Sequence, residues 1–172
     1  SNFRKTAANF HYEFNIRHIA GVFQGMLMGQ PAQFQEPLKI AQLWLHESER
    51  VYGDRLVSNE DRNKYKVLAQ NQSKKRFPAF NMSAFFAAEN ADPLVFCHFT
   101  ENVNEKSYDQ VSDMKKLHSI LMGALEDYNE ANSAMDLVLF EDAMRHVCRI
   151  TRIILNDGGH ALLVGVGGSG KH

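Results

Sequence analysis

Residues 160–172 read HALLVGVGGSGKH, and this stretch decides how the rest of the chain is interpreted. It opens with a short apolar run, residues 160–164, which is typical of a buried parallel strand. Gly165 and Gly170 then stand with four residues between them, and Lys171 follows directly. This is the spacing of a phosphate-binding P-loop. Glycines let backbone N–H groups turn towards an anion, and the lysine supplies a positive charge to the β- and γ-phosphates.

The predicted phosphate-binding residues are therefore those of the glycine-rich loop: Gly165, Val166, Gly167, Gly168, Ser169, Gly170 and Lys171. His172 stands where a P-loop normally has the Ser or Thr whose hydroxyl binds Mg²⁺. The chain opens on Ser1 without an initiator methionine and stops just after the loop, so we expect a piece of a longer chain. The alternative is a flexible glycine-rich tail with no binding role.

Composition excludes several classes of protein. The 172 residues are 44% hydrophobic and 23% charged, which is ordinary for a globular protein, and the net charge of −1 gives no footprint for nucleic acid. Cys97 and Cys148 form no CxxC pair and are expected to be buried thiols without a disulfide or metal role. The eight histidines show no metal-ligand spacing, so no metal site is predicted. No apolar run reaches the roughly 18–20 residues of a membrane span.

Helical periodicity predicts three helices in residues 1–76. The first runs from an N-cap at Asn15 to about Gly29, and Arg17 lies off its apolar stripe as a surface charge. That stripe, expected to be buried, comprises Ile16, Ile19, Ala20, Phe23, Met26 and Leu27.

The next two helices follow at short intervals. The second begins at Pro37 and lasts roughly twenty residues, with Trp44 as its packing anchor and Glu47 off the buried face. The third begins after a cap at Ser58 and ends near Lys75.

The second half of the chain mixes extended and helical segments. Residues 77–93 form the predicted domain boundary, residues 94–99 (LVFCHF) are read as extended, and residues 100–111 as a polar loop. Ser112 caps a fourth helix, and a fifth ends at the Asn-Asp-Gly-Gly stop of residues 156–159. A helix, a glycine turn, a strand and a glycine-rich loop form the expected opening of an α/β nucleotide-binding domain.

Several stretches in family order resemble the dynein heavy chains. HYEFNIRHI at residues 11–19 is similar to a HYxFNLRDLS signature, and LWLHESERVYGDRL at residues 43–56 to an LWxHExxRVxxDRL segment. DYNE at residues 127–130 and LVLFEDAMRH at residues 137–146 resemble the lead into the fourth AAA+ module, and GVGGSGK resembles its P-loop. Among dynein heavy chains, these motif sequences are most similar to those of axonemal heavy chains of the outer-arm beta type.

The resemblance implies a mainly α fold: a helical AAA+ lid subdomain, then the N-terminal helices and first strand of an α/β P-loop domain. Residues 1–76 would be the lid of the third module, residues 77–93 a linker, and residues 94–172 the start of the fourth. Arg17 would be the sensor-2 arginine that reaches the nucleotide of the third module. Leu137, Val138 and Leu139 would border the adenine of the fourth.

The resemblance also implies cofactors and partners. ATP or ADP would bind the phosphate cradle, with Mg²⁺ expected in the parent although His172 lacks the ligating hydroxyl. His18 stands where the family usually has Asp. The partners would be the neighbouring AAA+ modules of the ring, microtubules, and dynein intermediate and light chains, in the cytoskeleton of a cilium or flagellum.

We expect no catalytic residue in this chain, and hence no ATPase activity on its own, because the sequence holds no Walker-B acid. Two alternatives stay open at this point. One is the N-terminal piece of a non-motor P-loop nucleotide-binding protein, and the other is a structural helical interaction module.

Overall fold

A computed structural model describes residues 3–86, 94–104, 106–163 and 165. Within these ranges the chain forms five α-helices and a two-stranded sheet. The helices are α1 (Ile16–Met26), α2 (Pro37–Ser48), α3 (Asn59–Arg76), α4 (Met114–Ala131) and α5 (Glu141–Ile154). The predominantly helical class expected from the sequence is confirmed.

The helix starts follow the predicted capping residues closely. Asn15 caps α1, where its side chain accepts the Arg17 N–H at 3.0 Å, and Ser58 caps α3 by accepting the Asp61 N–H at 3.1 Å. Asp113, one residue after the predicted Ser112, caps α4. The expected glycine stop after α5 is formed, with Gly158 at φ 66° and the Gly159 N–H donating to the Asn156 carbonyl at 2.8 Å.

The second helix differs from the expected continuous helix of about twenty residues. After Ser48 the chain enters a π-helical turn, Glu49–Gly53, before the connection to α3. Trp44 is half-buried and packs against Phe77, with ring centroids 5.5 Å apart, so it contacts the end of α3 as an anchor would.

The sheet joins the two halves of the molecule. Strand β1 (Phe96–Cys97) pairs antiparallel with β2 (Asp109–Gln110), so the expectation of a loop throughout residues 100–111 is wrong at its end. Successive side chains point to opposite sides of a strand. Phe96 accordingly packs with Tyr108 and with Leu43 of α2. The alternate residues pack instead on α4 and α5 in a second core, which comprises Val95, Cys97, Phe99, Val111, Leu117, Met144 and Cys148.

Two predicted apolar features are exposed in the structure. Most of the α1 stripe lies at the surface, with Ile16 79% and Leu27 83% exposed, while Val22 and Gly25 face the protein. Small residues allow α1 to approach α2 closely, so the glycine side packs inward. The predicted strand at residues 160–164 is not formed over residues 160–163, where Leu162 is 88% exposed. A strand needs backbone partners, and the described sheet has only β1 and β2.

No helix in the described ranges is long and apolar enough to cross a membrane. Within the same ranges, no group of three or more His, Cys, Asp or Glu side chains is placed to hold a metal ion.

Candidate functional site

Arg17 projects from the first turn of α1. The turn is fixed by reciprocal capping, since the Asn15 backbone N–H also donates to Nδ1 of His18 at 3.0 Å. Burial and the nearby Arg55 lower the pKa of His18, which favours the neutral ring that this hydrogen bond requires. His18 therefore has a structural role in place of the acidic one its family position would suggest. Arg17 itself is exposed, and an exposed guanidinium in a fixed turn suits phosphate recognition.

Residues 137–139 lie in the connection between α4 and α5, which contains neither helix nor strand. Asn129 holds the start of this connection through two hydrogen bonds with Met135. The Met135 N–H donates to Asn129 Oδ1 at 2.8 Å, and Asn129 Nδ2 donates to the Met135 carbonyl at 3.0 Å. Leu139 turns inward onto the second core, whereas Val138 is 79% exposed.

A cavity of about 440 Å³ opens beside Leu139. It is bordered by apolar and polar side chains together, a combination typical of ligand sites: Met114, Lys115, His118, Ser119, Leu139, Glu141 and Met144. Of residues 137–139, Leu139 lines this cavity; Arg17, which is predicted to serve a different nucleotide, does not.

The phosphate-binding prediction falls largely outside the described part of the chain. Gly165 is described, but residues 166–172, which include Lys171 and His172, are not. The loop that would hold the phosphates therefore stays a prediction from the sequence.

The structure reveals a buried polar cluster that the sequence reasoning missed, and we call Glu47, Arg152 and Tyr108 the buried triad. Glu47 is completely buried, contrary to its expected place off the buried face of α2. Its carboxylate accepts hydrogen bonds from Nε of Arg152, at 3.2 Å to Oε1 and 3.0 Å to Oε2, and from Nη2. The Tyr108 hydroxyl donates to Oε1 at 2.5 Å.

Protonation states favour this arrangement. Burial and the neighbouring Glu47 raise the pKa of Tyr108 well above its ordinary value, so the hydroxyl keeps the proton that it donates. Burial alone would lower the pKa of Arg152, but its hydrogen bonds to Glu47 raise it, and the guanidinium stays charged. Removing only one partner of such a buried, hydrogen-bonded ion pair is strongly destabilising, because the other charge is left unpaired in the interior.

The triad joins parts of the chain that are distant in sequence. Glu47 lies on α2 and Arg152 on α5, 105 residues apart. Gly25 of α1 packs directly over the pair, and a Cβ atom at this position would overlap the Glu47 carboxylate. A weaker second link runs from Arg149 of α5 to Asp54, 3.8 Å apart, just after the π-helical turn.

Two sequence patterns that were not used could have indicated buried charges at these positions. Met144, Cys148 and Arg152 recur every fourth residue on the buried side of α5, which places an arginine among core residues. In α2, Leu43 and Glu47 are spaced in the same way. A charged residue on a core stripe indicates a buried partner of opposite charge.

Comparison with known proteins gives a consistent set of similarities. Residues 1–87 match the family described as "AAA+ lid domain", and residues 135–172 match "P-loop containing dynein motor region D4". The chain is 57% identical over 169 residues, 98% of its length, to "Dynein alpha chain, flagellar outer arm" of Chlamydomonas reinhardtii. It is 45% identical over 170 residues, 99% of its length, to "Dynein beta chain, ciliary" of Tripneustes gratilla.

A human relative, "Dynein axonemal heavy chain 17", is 44% identical over 171 residues, again 99% of the chain. In each case the chain spans only about 4% of the relative's own length. Because an alpha chain and a beta chain both match, the beta subtype stays a prediction.

Proposed function

The chain belongs to the dynein heavy chains of the AAA+ class, and from this premise we propose that it connects two neighbouring modules of a motor ring. In this proposal residues 1–76 form the lid of the third module, residues 77–93 the linker, and residues 94–172 the start of the fourth. The observation that carries it is the buried triad. Glu47 lies in the stretch matched to an AAA+ lid and Arg152 in the stretch matched to a dynein P-loop region.

Nucleotide would be bound on both sides of this connection. Arg17 acts as the sensor-2 arginine for a nucleotide of the third module, and its support is an exposed guanidinium at a capped helix start. Gly165, Lys171 and the residues between them hold the phosphates of ATP or ADP in the fourth. Residues 137–139 border its adenine; the support is that one of them, Leu139, lines the cavity between α4 and α5. Any Mg²⁺ at this P-loop lacks the usual hydroxyl ligand because His172 replaces it.

The geometry suggests how the two sites communicate. Arg17 and Gly25 lie on the same helix, Gly25 packs on Glu47, and Glu47 holds Arg152 near the end of α5. The predicted P-loop follows α5 after the glycine turn. A shift of α1 on nucleotide binding would thus be passed to the fourth module through packed, charge-paired contacts.

The whole heavy chain would be the ATP-driven motor that moves along microtubules in the axoneme of a cilium or flagellum. Its other modules, the microtubule, and intermediate and light chains would be its partners. This chain would contribute nucleotide-binding elements and the mechanical link, while hydrolysis would need residues that it does not contain.

The proposal is tested in the heavy chain that carries this segment, by titrating a fluorescent ATP analogue. Lys171→Ala should abolish binding at the fourth module, and Arg17→Ala should weaken binding at the third. Arg76→Ala, which removes another exposed arginine from a helix end, is the matched control and should bind as the unaltered protein does. The proposal fails if Lys171→Ala leaves nucleotide binding unchanged, or if Arg17→Ala behaves like Arg76→Ala.

A further inference from the structure

An apolar cavity of about 230 Å³ lies within the part of the chain that matches an AAA+ lid. Its walls come from the segment before α1, from α2, from the π-helical turn and from α3. Protein interiors are close-packed, and few of their voids exceed the size of a water molecule. A cavity of this volume is therefore unusual and, if empty, leaves its lining without the dispersion contacts that stabilise a core. Five of the side chains that line it are aromatic: Phe3, Phe14, Trp44, Tyr52 and Tyr65.

The lining determines which chemical class of ligand the cavity can hold. None of the described residues that line it is Asp, Glu, Lys, Arg or His. A charged ligand would lose its hydration there without gaining a partner of opposite charge. Aromatic rings prefer offset-stacked or edge-to-face contact with other rings, so the aromatic side chains favour an aromatic ligand. Since an apolar cavity of about 150 Å³ takes up benzene, this cavity suits a compound of one or two rings.

Two further features favour a ligand site over a packing defect. Gln72 lines the cavity and is exposed, so the cavity reaches the surface of α3 and a solute can enter there. Tyr52 belongs to the π-helical turn Glu49–Gly53, and such turns occur frequently at functional sites. The turn places the Tyr52 ring in the cavity wall against that of Phe14, with ring centroids 5.8 Å apart. The irregular end of α2 and the cavity therefore belong to one arrangement.

We propose that this cavity is a binding site for an uncharged aromatic small molecule of one or two rings. The ligand packs against the aromatic lining and fills the space between α2 and α3. Because Phe14 directly precedes Asn15, the N-cap of α1, the ligand also supports the segment from which α1 starts. The inference depends on the packing of the first half of the chain and is independent of nucleotide binding, so it can be tested separately from the proposed function.

The test uses the intact heavy chain and two uncharged aromatic probes. A phenyl diazirine, which forms a reactive carbene when irradiated, is the photolabel, and indole is the competitor. The protein is irradiated with and without saturating indole and digested, and the labelled peptides are located by mass spectrometry. We expect label on the peptides that carry Tyr52 and Tyr65, and indole should remove it.

Ala69→Leu places a larger side chain in the cavity and should abolish the label that indole displaces. Ala20→Leu makes the same change at an exposed position of α1 and should retain that label. Absence of label from the cavity peptides would overturn the proposal, and this is the result expected if another segment of the heavy chain occupies the cavity. Label that indole does not displace, or displaceable label that persists in Ala69→Leu, would also overturn it. The unaltered protein decides the main question even if a variant fails to fold.

Discussion

Replacing Arg152 by alanine should be among the most destabilising single changes in this chain. The side chain makes three hydrogen bonds to the Glu47 carboxylate, and Glu47 is completely buried. Removing one member of such a pair leaves the other as an unpaired charge in the interior, which costs about 3–5 kcal/mol. For a chain of this size, each kcal/mol lowers the melting temperature by about 2–4 °C, so we expect a loss of roughly 6–20 °C.

The assay is thermal and urea unfolding of the purified chain, followed by circular dichroism, with Arg149→Ala as the matched control. Arg149 is one turn away on α5, its side chain is 37% exposed, and its nearest carboxylate oxygen, on Asp54, is 3.8 Å away. Its loss should cost no more than about 1 kcal/mol. Because an apolar replacement of both partners removes the unpaired charge, Glu47→Leu with Arg152→Met should be more stable than either single variant. Equal effects of Arg152→Ala and Arg149→Ala would refute the reasoning.

Three further predictions concern neighbouring features. Gly25→Ala should destabilise the chain strongly, because the added Cβ would overlap the Glu47 carboxylate. Gly123→Ala is the control, since no atom lies within 4 Å of a Cβ added there. Similar urea midpoints for the two variants would contradict this prediction. Burial and Arg50 lower the pKa of His46 well below its ordinary value. Below about pH 6.5 the unfolded chain therefore binds a proton at His46 that the folded chain does not. The free energy of unfolding should fall there by up to roughly 1.4 kcal/mol per pH unit because of this group. His46→Gln should flatten that profile between pH 7 and pH 5.5 in urea titrations, and an unchanged slope would argue against His46 as its source. Asn15→Ala removes the α1 cap and should cost about 1 kcal/mol by the same measurement, with no loss counting against the capping role.

The positions of the helices could be predicted from the sequence because their signals are local. Asn15, Ser58 and the glycines at 158 and 159 act on backbone groups within a few residues, and the structure uses all of them. The helical period also showed correctly that the apolar residues of α1 lie along one face of the helix. It could not say whether that stripe would be covered, since covering depends on other parts of the fold, and the structure leaves Ile16 and Leu27 exposed.

The buried contacts depend on residues far apart in the chain, which explains why they escaped prediction. Glu47 looked like a surface acid because its arginine lies on another helix. Cys97 and Cys148 looked unrelated because only the packing of β1 on α5 brings them together. The strand predicted at residues 160–164 has no pairing partner over its described residues, 160–163, and an apolar run alone does not supply one. The assignments of Arg17 and residues 137–139 to nucleotide come from the family resemblance, and the Arg17→Ala titration tests the first of them.

The long reach of the triad also has a consequence for biosynthesis. Glu47 leaves the ribosome 105 residues before Arg152, which at about 5–20 residues per second is a delay of roughly 5–20 s. During that interval Glu47 lacks the Arg152 guanidinium that pairs with it in the folded chain. We therefore expect α2 to reach its final packing only after α5 has been translated.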